Sequence, residues 1–374
     1  MRFVLNEDQN MLRESAADFF AGRLPLAHQR KLKAQGQSRD ADAWREMAEL
    51  GWNAIALPES VGGVAFGRSG VALLLAEAAR TLAATPLLAS NLLAAGLVEA
   101  AGSDAQKRDW LPALATGDKL GALALDERAR HDPARVETRA RRTAGLWRID
   151  GAKCAVVDGE FADVLITVAR DADTDETLLF VLDAHTAGVR IQPLSQIDAQ
   201  PMARVRLDGV QVDEAALLAR GAAADAALNT VLERARIALA AQLQAVSRVL
   251  FDTTLDYLKQ REQYGRKIGA FQALQHRMAR LFTRIELAES CVQAAVAALD
   301  SDADLARLAA LAKGMAGETA LAIADEAVQL HGGIGVTDEL DVGLFLKRVQ
   351  VLEALLGDSV YQRARYARVI GVVA

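Results

Sequence analysis

The spacing of apolar residues changes twice along this chain of 374 residues, and each change marks a different kind of structure. In residues 1–118 and 220–374 apolar residues recur every three or four positions, which predicts helices that bury one face. In residues 119–219 short apolar runs alternate with polar residues, which predicts β-strands. We therefore expect a mainly α-helical protein with an N-terminal helical domain, a small central β-domain and a C-terminal bundle of four helices.

The central part contains three Asp-Gly pairs, at residues 150–151, 158–159 and 208–209, and such pairs favour tight turns. Strands are predicted around them at residues 135–141, 146–149, 153–157, 164–168, 178–182 and 205–210. In the C-terminal part apolar stripes predict four helices, which run from Leu239 to Tyr257, from Leu274 to Val292, from Leu308 to the glycines that begin at Gly332, and from Phe345 to Leu356.

Two short motifs in the C-terminal part carry most of the functional information. Residues 261–272 read REQYGRKIGAFQ, and residues 329–337 read QLHGGIGVT. Glycines at the end of a helix leave main-chain amides open to a large anion, although a glycine-rich helix end is by itself common. The planar guanidinium of Arg261, which is always charged, suits a pyrophosphate.

The two motifs, in this order and some seventy residues apart, resemble those of the acyl-CoA dehydrogenase family, and the resemblance extends over essentially the whole chain. It implies FAD as the cofactor, an acyl-CoA thioester as the substrate and a β-domain of barrel or sandwich type. It also implies a homotetramer, or a heterotetramer with a related dehydrogenase subunit, and a partner protein that accepts electrons. The residues expected to hold the pyrophosphate and adenosine end of FAD, across a subunit interface, are Arg261, Tyr264, Gln329, Gly332 and Gly333.

The positions where this family carries its catalytic base hold no carboxylate here. The base is a glutamate that removes a proton from the carbon next to the thioester carbonyl, and it occurs at one of two places. Counted without gaps from the two motifs, these places are Leu356 and Ala235. Neither side chain can take a proton. Ala235 precedes Arg236 as the family's alternative base precedes an arginine, and the resemblance implies that Arg236 contacts the substrate.

Three carboxylates lie near the empty positions. Glu353 and Asp358 bracket Leu356, and Glu233 lies two residues before Ala235. We expect each to be a solvated or ion-paired surface group. Glu233 is the candidate for a displaced catalytic base, but an offset of two residues turns a helical side chain by about 200°. We therefore expect Glu233 near the start of its helix, where the dipole favours a carboxylate, and not against the substrate.

The part of the β-domain that faces the flavin in this family also departs from the family pattern. Where the family has Thr-Glu-Pro, residues 126–128 read DER and keep only Glu127, and where it has Gly-Ser-Asp, residues 131–133 read HDP. Residues 155–159 read AVVDG, so the aromatic ring that shields the flavin and the hydroxyl that bonds its N5 are both missing. One lost hydrogen bond is worth about 0.5–1.5 kcal/mol, which weakens flavin binding without abolishing it.

Two functions are compatible with these residues. The first is an FAD-dependent acyl-CoA dehydrogenase that desaturates its substrate between the α- and β-carbons, transfers a hydride to the flavin and uses a displaced base such as Glu233. The second is a non-catalytic subunit that completes the FAD site of a related catalytic chain. A preserved adenosine end beside two empty base positions favours the second. The acyl group is not identified by the sequence.

Composition excludes several other classes of protein. Lys and Arg number 43 and Asp and Glu 49, so the net charge of −6 gives no reason to expect binding to nucleic acid or to an anionic membrane. Charged residues interrupt the most apolar region, residues 71–98, and because the chain turns acidic at Glu7 and Asp8 we do not expect a secretory signal at its start. Cys154 and Cys291 are isolated, and no Cys or His cluster has the spacing of metal ligands. We therefore expect a cytoplasmic protein with free thiols, no membrane span and no metal.

Overall fold

The structure, a computed structural model, describes residues 5–372. Local signals fix where two of the N-terminal helices begin. The side chains of Asn6 and Ser103 each accept a hydrogen bond from the amide three residues later, and the side chains of Gln9 and Gln106 return one, so both helices start in a capping box. The helices of this part are α1 (Glu7–Arg23), α2 (Leu26–Ala34), α3 (Ala41–Glu49), α4 (Arg68–Arg80), α5 (Gly96–Ala101) and α6 (Asp104–Ala115).

Eight strands of the central part form one sheet. They are β1 (Gly121–Ala124), β2 (Arg139–Thr143), β3 (Leu146–Val157), β4 (Val164–Asp171), β5 (Thr177–Asp183), β6 (Val189–Pro193), β7 (Met202–Val212) and β8 (Leu217–Arg220). Their order is β6-β7-β3-β2-β4-β5-β8, with β1 beside β4. The rings of Trp147 on β3 and Phe180 on β5 meet edge to face at 5.7 Å, although β2 and β4 lie between their strands. The sheet therefore curls over a common apolar core, as a barrel-like domain requires.

Two of the three Asp-Gly pairs are not turns, which corrects the strand prediction. Residues 146–157 form the single strand β3, and Asp208 and Gly209 lie inside β7. The pairs face each other across these two strands, because the amide of Gly209 donates to Asp150 Oδ1 at 2.7 Å. The register shifts between Ile149 and Gly151, so the extra residue is absorbed as a bulge. The predicted strand at 135–141 begins only at Arg139, and β1, β6 and β8 were not predicted.

Five helices make up the C-terminal part: α7 (Gly221–Gln260), α8 (Gln272–Ala298), α9 (Leu305–His331), α10 (Val342–Ala354) and α11 (Ser359–Val369). The first three confirm the predicted apolar stripes, and α9 packs against α8, α10 and α11. The prediction for α10 was too long, because the helix ends at Ala354 and Leu356 adopts a positive φ of 55°. The predicted class, helical parts before and after a β-sheet domain, is confirmed.

Contacts between Cα atoms divide the described chain into two compact units. Residues Ala27–Val71 and Ala84–Ala235 form one unit, and the other described residues form the second. The three-domain boundaries at 118/119 and 219/220 stay a prediction, although every strand of the large sheet lies between Gly121 and Arg220. No helix among residues 5–372 is long and apolar enough to cross a membrane.

Candidate active site

The first motif folds into a tight hairpin directly after α7. Two short antiparallel strands, β9 (Glu262–Gln263) and β10 (Arg266–Lys267), are joined by Tyr264 and Gly265, whose φ angles of 54° and 75° are those of a type I′ turn. Glycine tolerates this conformation without strain and tyrosine does not. The ring of Tyr264 is 90% exposed, and Arg261 is also exposed. Both predicted cofactor residues of this motif are therefore open to a ligand.

The second motif ends α9 and leaves two glycines uncovered. Gly332 has φ 65° and ψ −141°, so the helix ends with a positive φ but not in the left-handed helical region. A Cβ added at Gly332 or Gly333 would meet no atom within 4 Å, whereas one at Gly335 would lie 2.6 Å from the carbonyl oxygen of Val328. Gly335 thus serves close packing, and Gly332 and Gly333 offer bare main chain to a ligand. Gln329 is exposed beside them.

Tyr257 and His331, which the sequence analysis did not single out, bring the two motifs together. Tyr257 lies one turn before Arg261, and its ring is 4.3 Å from the ring of His331, which directly precedes Gly332. The Tyr257 hydroxyl donates to the main-chain oxygen of His331 at 3.3 Å. The ends of α7 and α9 are therefore fastened to each other. Exposed guanidinium and open glycine backbone at one place are the donors that a pyrophosphate needs.

The residues at the positions that face the flavin in the family are hydrogen-bonded to other residues of the β-domain. Glu127 accepts from Lys153 Nζ at 2.6 Å, and from the amide and hydroxyl of Thr138 at 2.9 and 2.7 Å. Burial raises the pKa of Glu127, but the Lys153 charge and these hydrogen bonds outweigh burial and hold the pKa below its ordinary value. The carboxylate of Asp126 pairs with His131 Nδ1 at 2.8 Å. Glu127 is therefore the fixed anion of a buried ion pair.

Residues 155–157 at the end of β3, where the family has its flavin-contacting side chains, carry only small apolar side chains. Ala155 has a φ of 52°, and a shift in register against β7 lies between Lys153 and Val156. An alanine with a positive φ is uncommon, so the bulge at Ala155 is held by the surrounding sheet. These residues supply neither an aromatic ring nor a hydroxyl. Arg261, Gln329 and the open glycines have the chemistry that the adenosine end of FAD requires, whereas residues 155–157 would offer only main-chain groups to a flavin ring.

Both family base positions are buried and apolar. Ala235 is 0% exposed and Leu356 is 8% exposed. Glu233 is 6% exposed, and it lies about three turns inside α7, which begins at Gly221. The expectations that Glu233 is a surface group and lies near the helix start are both wrong. The reason is that α7 begins well before the apolar stripe that marked it in the sequence.

The other two nearby carboxylates shape the main chain. Glu353 Oε1 accepts from the amide and the hydroxyl of Ser359, both at 2.6 Å. Asp358 is the N-cap of α11, where its side chain accepts from the amide of Tyr361 at 2.7 Å. Both side chains are half-buried and accept hydrogen bonds from the start of α11, so neither is simply solvated. They close the connection between α10 and α11.

The segment that holds Leu356 is bonded to buried side chains from three helices. Arg236, 2% exposed, donates from Nε to the main-chain oxygen of Leu356 at 3.0 Å. Lys313 on α9 donates to the main-chain oxygens of Glu353 at 2.8 Å and Gly357 at 3.4 Å. Gln362 on α11 donates to those of Leu356 and Gly357 at 3.0 and 3.1 Å. The role of Arg236 toward substrate stays a prediction. Lys313 and Gln362 were missed, because no local pattern links positions so far apart.

Residues 6–118 match the family model described as "Acyl-CoA dehydrogenase, N-terminal domain", and residues 224–371 match "Acyl-CoA dehydrogenase, C-terminal domain". Acyl-CoA dehydrogenase IpdE2 of Mycobacterium tuberculosis is 31% identical to this chain, over 94% of this chain and 93% of its own length. No group of three or more His, Cys, Asp or Glu side chains suited to a metal ion occurs among residues 5–372.

Two solved structures are similar along almost the whole chain. The ChsE4-ChsE5 complex from Mycobacterium tuberculosis has a TM-score of 0.90 at 26% identity, and the match covers 100% of both chains. A variant of the Tcur3481-Tcur3483 steroid ACAD has a TM-score of 0.87 at 30% identity, and the match covers 98% of both. Acyl-CoA dehydrogenases bind FAD, which confirms the predicted cofactor of the family. With both terminal domain models matched and this degree of identity, the chain belongs to the acyl-CoA dehydrogenase family.

Proposed function

We propose that this chain is a subunit of an FAD-dependent acyl-CoA dehydrogenase, that it completes the FAD site, and that a second, related chain supplies the base. One observation carries the proposal: the two positions at which the family places its base hold the buried apolar side chains of Ala235 and Leu356. A missing general base costs on the order of 10² to 10⁴ in rate, and more for a weakly acidic C–H proton. The desaturation of an acyl-CoA thioester therefore needs a carboxylate from elsewhere.

The residues for cofactor binding are present. Arg261 would pair with the pyrophosphate, the open amides at Gly332 and Gly333 would donate to it, and Gln329 would offer its side-chain amide. FAD, when bound, accepts the hydride that leaves the β-carbon of the acyl group. Because the residues of this end are exposed, they can serve a site that is completed by another chain. The electrons then pass to a separate acceptor protein.

The similarity to named two-component proteins supports a heteromeric enzyme. The ChsE4-ChsE5 structure is by its title a complex, and the Tcur3481-Tcur3483 structure names two components and a steroid ACAD. An assembly of four chains, two of each kind, would combine preserved FAD residues on this chain with a carboxylate on the other. A homotetramer is the corresponding arrangement if this chain acts alone.

A self-sufficient dehydrogenase is the second candidate, and the burial of Glu233 is the observation in its favour. A carboxylate that is 6% exposed in a long helix is not an ordinary surface group. Against it, Glu233 and Ala235 point about 200° apart around α7, so Glu233 cannot replace a base at position 235 without a different substrate pose. Glu233 is thus the residue to change when the two candidates are compared.

The test is turnover by the purified chain, measured with an artificial dye as electron acceptor. The substrates are straight-chain, branched and steroid-derived acyl-CoA thioesters, and flavin content is read from visible absorbance. We expect no turnover until a base-containing family member is co-purified. Activity of the chain alone that Glu233→Gln lowers about a thousandfold, while Glu286→Gln on the exposed side of α8 leaves it unchanged, would establish the displaced base instead.

A further inference from the structure

The main chain at residues 355–358 is held in a conformation that its own residues do not favour. Leu356 has a φ of 55° and Gly357 a φ of 100°. A leucine in the left-handed region is strained, because its Cβ crowds the following carbonyl oxygen. At Gly357 an added Cβ would lie 2.2 Å from a ring carbon of Tyr361, so only glycine fits. Such strain persists only where surrounding groups determine the geometry, and it is concentrated at functional sites.

Three buried side chains determine the geometry of this turn. Arg236, Lys313 and Gln362 come from α7, α9 and α11, and together they donate five hydrogen bonds to the main-chain oxygens of Glu353, Leu356 and Gly357. All three donors are at least 98% buried. The main-chain oxygens around residue 356 thus accept hydrogen bonds from side chains outside the turn. These bonds fix the main chain of residue 356 whatever side chain it carries.

Lys313 is the donor that ordinary packing explains least. It is 0% exposed, and among the described residues its ammonium group bonds to main-chain oxygens and forms no ion pair. The charged groups that act on it are Glu353 on α10, Arg236 on α7 and Asp358 at the N-cap of α11, and the ring of Tyr361 lies beside Arg236. Burial of a cation that has no carboxylate in an ion pair with it destabilises the folded state, and an apolar side chain of the same volume would not carry this desolvation penalty. The turn therefore holds two buried cations, Lys313 and Arg236.

We propose that Lys313 is a positioning residue: together with Arg236 and Gln362 it holds residue 356 in a place preformed for a carboxylate, which this chain has replaced by leucine. The inference rests on the proposed function, in which this chain lacks the base and a second chain supplies it. Lys313 fixes the main chain and adds positive charge near the side chain of residue 356. An ionised carboxylate at this position is favoured by that charge, whereas at an ordinary buried apolar position it is disfavoured.

The test compares Leu356→Glu with Leu356→Gln by thermal unfolding between pH 4 and pH 7.5. If the place suits a carboxylate, the melting temperature of Leu356→Glu rises relative to Leu356→Gln by at least about 2 °C as the pH increases, because the ionised form is preferred in the folded state. Leu352→Glu, compared with Leu352→Gln, is the matched control, since Leu352 is 0% exposed and lies one turn earlier on α10. There we expect the opposite trend.

To test the role of Lys313, the melting temperatures of Leu356→Glu and Leu356→Gln are compared again in proteins that also carry Lys313→Met. We expect the inflection of the Leu356→Glu curve to move to higher pH by about one unit, whereas Gln362→Leu, which removes donors without charge, leaves it in place. A purely structural lysine would lower the melting temperature at every pH and would not move the inflection. If Lys313→Met does not fold, Lys313→Gln, which keeps a donor, replaces it.

Two results would overturn the inference: a melting temperature of Leu356→Glu that falls relative to Leu356→Gln as the pH rises, or the same inflection with and without the Lys313 charge. Neither measurement depends on flavin, substrate or a partner chain. Turnover by the unmodified chain alone would overturn the proposed function and would leave this result unaffected. The two failures are therefore distinguishable.

Discussion

Tyr257 packs against His331, with ring centroids 4.3 Å apart and planes tilted by 33°, and its hydroxyl donates to the main-chain oxygen of His331. His331 is 3% exposed, and its Nδ1 lies 2.7 Å from the oxygen of Ala327. Burial lowers the pKa of His331, so the ring stays neutral at physiological pH. A neutral, buried ring therefore joins the helix before Arg261 to the helix before Gly332.

Replacement of Tyr257 should separate these two motifs without removing a predicted cofactor residue. We expect Tyr257→Leu to lower flavin content, because the aromatic contact is worth roughly 0.5–1.5 kcal/mol beyond its buried area. Tyr257→Phe keeps the ring and loses only the long hydroxyl bond, so its flavin content should stay near that of the unmodified chain. Absorbance of the purified proteins measures both. Equal flavin content in the two variants would show that the contact does not support the site.

Arg261→Ala and Gln329→Ala test the predicted cofactor residues directly. A hydrogen bond to a charged group is worth about 1.5–3 kcal/mol, so the dissociation constant for FAD should rise roughly 10- to 100-fold for Arg261→Ala. Arg266→Ala is the control, since Arg266 is also exposed in the hairpin but lies over the ring of Phe271. Full flavin occupancy in both variants, measured after dialysis, would contradict the assignment.

The buried pair of Lys153 and Glu127 should be important for folding. Their side chains are 0% and 6% exposed, so Lys153→Met leaves a buried carboxylate without its counter-charge and should cost about 3–5 kcal/mol. The exposed pair of Arg148 and Asp150 is the comparison, and Arg148→Ala should cost less than about 1 kcal/mol. Urea unfolding gives both values.

The same pair predicts the direction of acid sensitivity. The pKa of Glu127 is lower in the folded chain than its ordinary value of 4.5, so its contribution to stability is present above that pH. This contribution is lost as the pH falls through the folded-state pKa. The stability difference between the unmodified chain and Lys153→Met should therefore shrink below about pH 4.5. A difference that stays constant down to pH 3 would mean that the ion pair does not stabilise the fold.

Lys313 predicts a second rise of stability with pH, in the alkaline range. Burial lowers the pKa of Lys313 to about 8, from 10.5 for a free lysine. Between these values the unfolded chain binds more protons than the folded chain, so stability rises with pH, by up to roughly 3 kcal/mol. Lys313→Met should lack this rise between pH 8 and pH 10.5, and the exposed Lys259→Met should keep it. If stability changes with pH in the same way in the unmodified chain and in both variants, the lowered pKa of Lys313 is contradicted.

The helices were predictable from the sequence because their apolar residues repeat at the helical period over many turns. The stripes from Leu239, Leu274 and Leu308 predicted α7, α8 and α9, and each helix extends beyond its stripe at one or both ends. The β-domain was less predictable. An Asp-Gly pair suits a turn and a bulge equally well, and only the bond from Gly209 to Asp150 across two strands decides between them.

The site was predictable where it depends on consecutive residues and unpredictable where it depends on packing. The hairpin at Tyr264-Gly265 and the open glycines belong to short motifs that can be read directly. The hydrogen bond between Arg236 and Leu356 joins residues 120 positions apart, and no spacing in the sequence reveals it. Glu233 was misplaced because the apolar stripe was followed only from Leu239, although the buried residues Ala224, Leu228 and Val231 continue the same period towards the start of α7.

Assembly is the remaining prediction. If the FAD site is shared between chains, light scattering should give four chains of 40.0 kDa each, about 160 kDa, either for this chain alone or for its complex with a related subunit. The exposed Tyr264 should then become shielded, and its fluorescence should respond to dilution. A monomer that retains flavin at micromolar concentration would contradict a shared site.

The turn at residues 355–358 can form only after most of the C-terminal helices have docked. Its donors belong to α7, α9 and α11, and the last of them, Gln362, is synthesised after the turn itself. Closing such long loops is entropically unfavourable until the helices between them have packed, so this turn belongs to the late events of folding. A nascent chain would therefore expose the left-handed Leu356 segment to chaperones and proteases until α11 has emerged from the ribosome.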